Sequence, residues 1–236
     1  MFNKLRQLEL AFKPRPLFDN IGGYDNYKQL FIKALKSEKP VHILLVGAPG
    51  TGKTEFLLNV NGHRDYRKKA YFTLGAHSTK AGIINELFIH RPRYLLIDEL
   101  EHMSPNDKTV LLSLMQTGII SETKYSRTRN TELKTWVFAT CNHITKMSDA
   151  LLSRFVVLHF KKYSKEEFVL VAYKILTEQE NVEPDFAEYI AESVFDYLGG
   201  TQPRDCVKVA RLAKNEADVI DALEAMSYKG EDEDEE

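Results

Sequence analysis

Short apolar runs rich in β-branched and aromatic residues alternate with segments of helical spacing along the first two thirds of the chain. Five of these runs have the length of strands and predict β-structure over 41–46, 69–74, 94–98, 135–140 and 155–160. Helical spacing and capping residues between them predict helices over 26–36, 53–60, 79–89 and 105–117. This alternation is typical of a parallel sheet covered by helices.

The strand pattern stops after residue 160. Ser164 and Glu167 have the spacing of a capping box at the start of an apolar periodic segment, and Gly199 and Gly200 mark a later break. Further helices are predicted over 184–197, 203–214 and 217–227. We therefore predict an α/β domain over 1–162, a helical lid domain over 163–228 and a disordered acidic tail over 229–236.

Composition narrows the class of protein. The 236 residues are 43% hydrophobic and 28% charged, as in ordinary globular chains, and no apolar run approaches the roughly 20 residues of a membrane span. Two cysteines, Cys141 and Cys206, exclude a disulfide scaffold and favour reduced thiols. A cytoplasmic protein without a membrane partner is therefore expected.

Charge is distributed unevenly. The net charge is −2, but 231–236 are all acidic, and without them 32 basic residues face 28 acidic ones. A nearly neutral body does not predict general DNA binding, so any nucleic-acid contact must come from a local patch.

A phosphate-binding pattern follows the first predicted strand. The segment 47–54 reads Gly-Ala-Pro-Gly-Thr-Gly-Lys-Thr, which fits GxxxxGK[ST] between a strand and a helix. Glycines let the backbone wrap phosphate oxygens, and amides at the helix start point at the anion. Lys53 would reach the β- and γ-phosphates and Thr54 would bind Mg²⁺. The nucleotide-contacting set predicted here is Pro49, Gly50, Thr51, Gly52, Lys53 and Thr54.

A second motif supports the first. The strand predicted over 94–98 ends in two carboxylates, Asp98 and Glu99. In phosphate-loop NTPases the first acid supports Mg²⁺. Glu99 is then placed to polarise the attacking water. ATP and Mg²⁺ are thus the expected ligands.

With these motifs the chain resembles an AAA+ ATPase over about 14–225. The resemblance implies a five-stranded parallel sheet in a three-layer αβα phosphate-loop NTPase domain, followed by the small all-helical lid. It also implies that Ile21 and Gly22 line the adenine pocket, because 15–23 resembles the N-terminal segment of the family. A homo-oligomeric ring, most often a hexamer, is the assembly that the resemblance implies.

The resemblance assigns three further residues. Asn142 follows a strand similar to the sensor-1 strand and would hold the attacking water or the γ-phosphate. Arg154, in Leu-Leu-Ser-Arg-Phe, resembles the arginine finger that reaches the nucleotide of a neighbouring subunit. Arg204, in Gly-Thr-Gln-Pro-Arg, resembles the sensor-2 residue of the lid. A strand-ending asparagine or surface arginines would be the structural alternatives.

Within AAA+ ATPases the chain is most similar to RuvB-type branch-migration ATPases, and next to clamp-loader small subunits. The insertion 121–134 before the sensor-1 strand resembles the hairpin of the first group. Its Lys124, Arg127 and Arg129 would contact a nucleic-acid backbone, and Tyr125 would stack on a base. The alternative is a solvated hairpin or a protein-docking loop.

Two functions follow as expectations. The first is a RuvB-like DNA motor or helicase that hydrolyses ATP at the subunit interfaces of a ring and acts on DNA or DNA junctions. The second is a protein-remodelling or clamp-loader-like switch with a protein partner. The basic hairpin favours the first. The acidic tail, and the lack of a counterpart to the winged-helix domain of RuvB-type proteins, favour the second.

Overall fold

The computed structural model describes residues 16–19, 21–124, 127–199 and 202–227. Over these residues the strands are β1 (Ile43–Gly47), β2 (Ala70–Leu74), β3 (Tyr94–Asp98), β4 (Ile119–Lys124), β5 (Arg127–Glu132), β6 (Trp136–Cys141) and β7 (Val156–Phe160). Five of them form one sheet in the order β2-β3-β6-β1-β7, and every neighbouring pair is parallel. The five predicted strands are confirmed, with ends that differ by at most two residues.

The helices in the same residues follow the predicted alternation. They are α1 (Asp25–Lys36), α2 (Lys53–Gly62), α3 (Lys80–His90), α4 (Thr109–Thr117), α5 (Asp149–Leu152), α6 (Lys165–Glu178), α7 (Pro184–Leu198), α8 (Pro203–Leu212) and α9 (Glu216–Ser227). Each parallel strand connects to the next through a crossover, as a parallel sheet requires.

The sheet is buried on both faces. Along β3, Leu95 and Ile97 join a core with residues of α3 and α4, whereas Tyr94 and Leu96 join a second core with residues of α1 and α2. Helices on both faces explain why the strands are apolar runs without polar alternation. This is the expected three-layer αβα arrangement.

The C-terminal helices α6–α9 share a core of their own, which includes Phe168, Ile190, Cys206 and Leu223. The predicted capping box is present, because the Ser164 hydroxyl accepts the Glu167 N–H while the Glu167 carboxylate accepts the Ser164 N–H. A domain boundary at 162 remains a prediction, and the acidic tail lies outside the described residues.

The segment before the hairpin departs from the prediction. The helix predicted from residue 105 begins at Thr109, and 105–108 form turns. The predicted cap bond is present, since the Asp107 N–H donates to the Ser104 hydroxyl at 3.1 Å. The Asp107 carboxylate in turn accepts bonds from the Ser104 hydroxyl and from the Lys80 N–H that starts α3, both at 2.6 Å. The helix does end at Gly118 as expected, with φ 72°.

The predicted hairpin is present and starts earlier than expected, at Ile119. Its strands β4 and β5 are antiparallel, from the pair Ile119 and Glu132 to the pair Lys124 and Arg127. Among the described residues, no helix has both the length and the apolar character needed to cross a bilayer.

Candidate nucleotide-binding site

The phosphate loop lies between the end of β1 and the start of α2. Gly50 and Gly52 adopt left-handed φ values of 78° and 87°. A side chain at Gly50 would also collide with Gln202 of the lid, since a Cβ there would lie 2.6 Å from its Cγ. Glycine is therefore required at Gly50 by conformation and by space. Thr51 is buried, and its hydroxyl donates to the Ala48 carbonyl at 2.9 Å.

Lys53 is the first residue of α2 and is 6% exposed. Its ammonium donates to the carbonyls of Gly47 and Ala48 at 2.7 and 2.8 Å, so it lies within the curl of the loop. Burial lowers the pKa of Lys53, and the nearby Glu101 carboxylate opposes that shift. A phosphate oxygen would give this buried cation a charged partner in place of neutral carbonyls.

The oxygens suited to Mg²⁺ come from three elements. The Thr54 hydroxyl donates to Asp98 Oδ1 at 3.1 Å, and the Thr140 hydroxyl donates to the same oxygen at 2.5 Å. Hydroxyl and carboxylate oxygens fit a hard cation, which takes its remaining ligands from phosphate and water. The described residues contain no group of three or more His, Cys, Asp or Glu that would hold a metal alone.

Glu99 follows β3 in a left-handed conformation, with φ 54°. Its N–H donates to the Thr140 hydroxyl at 2.9 Å, which fixes the turn beside the sheet. Gly75 permits the close packing here, because a Cβ at that position would lie 2.1 Å from the Glu99 carbonyl oxygen. A carboxylate in this uncommon backbone conformation faces the cleft.

A cleft of about 410 Å³ joins the phosphate loop, the strand ends and the lid. Its lining includes these residues predicted from the sequence: Ile21, Gly22, Pro49, Gly50, Gly52, Lys53, Thr54, Glu99, Asn142 and Arg204. Thr51 and Asp98 are buried and are not part of this lining; the Thr51 hydroxyl donates within the loop to Ala48, and Asp98 accepts the Thr54 hydroxyl.

The lid supplies residues that the sequence analysis missed. Beside the predicted Arg204, the unpredicted Pro203, Val207 and Arg211 line the cleft from the same helix, α8. The spacing of Arg204 and Arg211, two helical turns apart, was the available signal. Arg211 forms a two-point ion pair with Glu180 at 2.8 and 3.0 Å.

Val171 and Ile175 of α6 complete the apolar end of the cleft, beside Ile21 and Gly22. Gly22 packs so closely on α6 that a Cβ there would lie 2.4 Å from Val171 Cγ2. Tyr163 also lines the cleft and donates its hydroxyl to the Thr51 carbonyl at 3.1 Å. Of the predicted lid segment, Gly200 and Thr201 lie outside the described residues.

Arg154 is not among the residues that line the cleft of its own chain. Its guanidinium donates to the Ala150 carbonyl and, at 2.5 Å, to Gln116 Oε1 at the end of α4. The structure therefore separates Arg154 from the other predicted catalytic residues, and its bond to Ala150 is also what a surface arginine at a helix C-terminus would make.

Among the predicted basic residues of the hairpin, the structure describes the side-chain contacts of Arg129. Arg129 is engaged on the hairpin itself, with Nε 2.7 Å and Nη2 2.6 Å from Glu122 Oε2. Its guanidinium also lies over the Phe88 ring at 4.1 Å. Lys124 and Arg127 are paired across the strands. Tyr125 lies outside the described residues.

Comparison with known families defines the class. The model of the AAA family, "ATPase family associated with various cellular activities", matches residues 43–163, which is half of the chain. The chain belongs to this family of ATPases.

Two curated relatives are replication factor C subunits. Subunit 2 of Saccharomyces cerevisiae is 24% identical over 227 residues, which cover 86% of this chain and 60% of that protein. The putative small subunit L510 of Acanthamoeba polyphaga mimivirus is 27% identical over 176 residues, covering 66% of this chain and 45% of the relative. The chain thus spans about half of the length of these relatives.

Solved structures of RuvB from Thermotoga maritima share the fold. One mutant of that protein matches with a TM-score of 0.68 and 19% identity, covering 92% of this chain and 75% of that one. Another structure of that protein, the Holliday junction branch migration motor, matches with a TM-score of 0.64 and 20% identity, covering 89% of this chain and 72% of that one. The resemblance to AAA+ ATPases, with RuvB and clamp-loader small subunits as the two similar groups, is confirmed.

Proposed function

We propose that this chain binds ATP with Mg²⁺ and hydrolyses it at the interfaces between subunits of a homo-oligomeric, hexameric ring. The main support is the cleft of about 410 Å³, which is lined by the phosphate loop together with Glu99, Asn142 and Arg204. When bound, Mg²⁺ supplies charge neutralisation of the phosphates.

Each residue has a distinct role in this proposal. Lys53 and Arg204 hold the terminal phosphates from the loop and from the lid. Glu99 polarises the attacking water, and Asn142 fixes that water or the γ-phosphate. The cation is held by Thr54 and Asp98, whose oxygens lie 3.1 Å apart.

The apolar end of the cleft is suited to the adenine ring. Ile21, Val171 and Ile175 offer apolar surface, and Gly22 lets the chain approach α6 closely. The backbone amides of 49–54 wrap the phosphates at the other end of the cleft.

Arg154 completes the neighbouring subunit's site in this proposal. Its guanidinium bonds to Gln116 of α4 and Ala150 of α5, outside the cleft of its own chain, and this position supports action on a second chain. A guanidinium that neutralises charge in the transition state accelerates hydrolysis on the order of a thousand-fold.

For the ring's substrate we propose DNA, as in a RuvB-like motor, helicase or translocase acting on junctions. The hairpin β4–β5 supports this, because this two-stranded ribbon before β6 carries Lys124 and Arg127 as the last pair of its ladder and Arg129 two residues further along β5. Backbone phosphates would be bound without base recognition, so affinity would fall steeply with salt.

A clamp-loader-like switch acting on a protein partner is the second candidate. The curated replication factor C relatives favour it. So does Arg129, whose charge is already matched by Glu122.

Steady-state ATP turnover, measured against protein concentration, tests the proposal. The assay is repeated with single-stranded, duplex and four-way-junction DNA at low salt. Turnover per chain that rises with concentration and with DNA supports a ring-forming DNA motor. Concentration-dependent turnover that no DNA alters would move the assignment to the protein partner, and no turnover at assembling concentrations would refute the ATPase proposal.

The hairpin is tested by replacing Lys124, Arg127 and Arg129 together with alanine. We expect DNA affinity at low salt to fall by roughly tenfold or more. The single Arg129→Ala variant is the matched control, because its charge is matched by Glu122 and its loss should change affinity less. Unchanged affinity in the triple variant would refute the hairpin as the DNA contact.

A further inference from the structure

We propose that Glu101 is a positioning residue for ATP hydrolysis, which fixes the backbone of Asn142 so that the Asn142 side chain faces the attacking water. This inference rests on the proposed ATPase function. Glu101 is distinct from Asp98 and Glu99, the two carboxylates of the strand motif. It lies in the short turn Leu100–His102 after β3.

The contact joins two chain segments 41 residues apart. Glu101 Oε1 accepts the Asn142 N–H at 2.8 Å. The parallel pairing of β6 with β1 ends at Cys141, and its pairing with β3 ends at Ala139. Asn142 is therefore the first residue beyond the ladder, and the Glu101 carboxylate holds it where strand pairing no longer does.

Glu101 is rigidly placed for this purpose. It is 7% exposed, and the preceding Leu100 is fully buried in the core. The Lys108 ammonium lies 3.5 Å from the Glu101 carbonyl oxygen and donates to the Lys146 carbonyl at 3.1 Å. The turn that carries Glu101 and the segment after Asn142 are thus held by one buried cation.

The second carboxylate oxygen points to a role beyond packing. Among the described residues, Glu101 Oε2 is buried and has no hydrogen-bond partner. An incompletely bonded buried carboxylate costs stability, so a purely structural residue is a poor explanation for it. Its charge does act on the site, because Glu101 raises the pKa of Lys53 against the lowering caused by burial.

The consequence for catalysis is geometric. A water-holding amide must be placed accurately, because a displacement of about 1 Å can cost on the order of 100-fold in turnover. Without the bond to Glu101, Asn142 would still follow β6 in the chain, but its backbone would no longer be held in one orientation. The loss should appear in kcat, whereas ATP affinity, set by the phosphate loop, should change little.

The experiment compares Glu101→Ala with Glu101→Gln, whose amide oxygen still accepts the Asn142 N–H. We expect Glu101→Ala to lower kcat roughly 10- to 100-fold with ATP affinity unchanged. Glu101→Gln should stay within about threefold of the wild type. Equal losses in both variants, or wild-type kcat in Glu101→Ala, would overturn the inference.

His42→Ala is the matched control. His42 Nδ1 accepts the Val137 N–H at 3.0 Å, so this variant removes the same kind of buried bond at the other end of β6. It should lower the melting temperature and leave kcat of the folded protein unchanged. If His42→Ala lowers kcat as much as Glu101→Ala does, the effect of Glu101 is structural.

Two further readouts separate the possible failures. On an Asn142→Ala background, Glu101→Ala should add little loss of turnover, and an additive loss would contradict action through Asn142. Hydrogen exchange of the Asn142 amide should be faster in Glu101→Ala than in the wild type or Glu101→Gln. This measurement needs no turnover, so a wild type without ATPase activity would refute the proposed function while unchanged exchange would refute the positioning contact.

Discussion

The two ends of the central sheet both carry buried polar side chains that join distant segments, and they differ in what surrounds those side chains. At the amino end, Trp136 Nε1 donates to the Ser37 hydroxyl at 2.8 Å, and the buried Thr135 hydroxyl donates to the Pro92 carbonyl at 2.8 Å. The Arg93 guanidinium lies over the Trp136 ring at 4.2 Å. These contacts tie loops and strand ends together.

At the carboxyl end, the same kinds of bond border the 410 Å³ cleft. Asp98 is shared by Thr54 and Thr140, and Lys53 bonds to loop carbonyls that carry no net charge. Left-handed Gly50, Gly52 and Glu99 lie beside them. A left-handed residue also precedes the amino end of β3, at Arg91 with φ 44°. Burial, bonding and backbone conformation are therefore alike at both ends, and function is indicated by the cleft and by the charges that a ligand would satisfy.

The sharpest test of this difference is Lys53→Ala. Because the ammonium is the buried cation of the loop, its loss should remove both ATP binding and turnover, with kcat/KM lowered by roughly 1000-fold or more. Exposed Lys68→Ala is the control and should keep both. Binding by calorimetry and a coupled ATPase assay measure the two effects, and ATP turnover near the wild-type rate would contradict the role of the loop.

Arg154→Ala should separate binding from turnover. Since Arg154 lies outside its own cleft, ATP affinity should remain while kcat falls by about 1000-fold. The exposed Arg67→Ala variant is the control.

Mixing Arg154→Ala with Glu99→Gln gives a second test of the same residue. In mixed rings, an intact Glu99 from one subunit meets an intact Arg154 from the next, so part of the activity should return. No recovery at assembling concentrations would argue against a finger that acts between subunits.

Glu99→Gln alone should bind ATP normally and lower kcat about 100-fold, the lower end of the range for removing a group that activates water. The amide keeps the size of the side chain and the left-handed turn, and only the charge is lost. Exposed Glu38→Gln serves as the control. Normal turnover by Glu99→Gln would refute its role and weaken the contrast between the two ends of the sheet.

The sequence predicted the sheet and the phosphate loop because each depends on a local pattern, namely an apolar run or the spacing of glycines and a lysine. Thr140 and Glu101 were not predicted, since their contacts depend on the register that sets β3 beside β6. A Thr within an apolar strand and a third acid after Asp98 and Glu99 carry no signal without that register.

In the lid and in the segment before the hairpin, too, local patterns were predicted and contacts between distant segments were not. The capping box at Ser164 is local and is confirmed, whereas the Glu180–Arg211 pair joins α8 to the end of α6 and had no local pattern. Asp107 combines both cases, because its N–H makes the local bond to the Ser104 hydroxyl that was predicted, whereas its contact with the start of α3 had no local pattern.

His42 gives the smallest expected effect and tests the amino end directly. Burial lowers its pKa from 6.5 to about 4, and its Nδ1 must be unprotonated to accept the Val137 N–H. The unfolded chain binds a proton below pH 6.5 while the folded chain resists it, so stability is lost as pH falls from 6.5 towards 4. At pH 5 the loss should be about 2 kcal/mol in the free energy of unfolding.

Urea unfolding at pH 7 and pH 5, for the wild type and His42→Ala, measures this loss. His42→Ala should be less stable at pH 7 but should lose about 2 kcal/mol less than the wild type between the two pH values. The contributions of the carboxylates to the pH dependence cancel in this comparison, because both proteins carry the same carboxylates. Parallel pH dependence would mean that His42 is as easily protonated in the folded chain as in the unfolded one. A fall in kcat of folded His42→Ala would instead place the amino end of β6 in the catalytic machinery and remove the distinction between the two ends of the sheet.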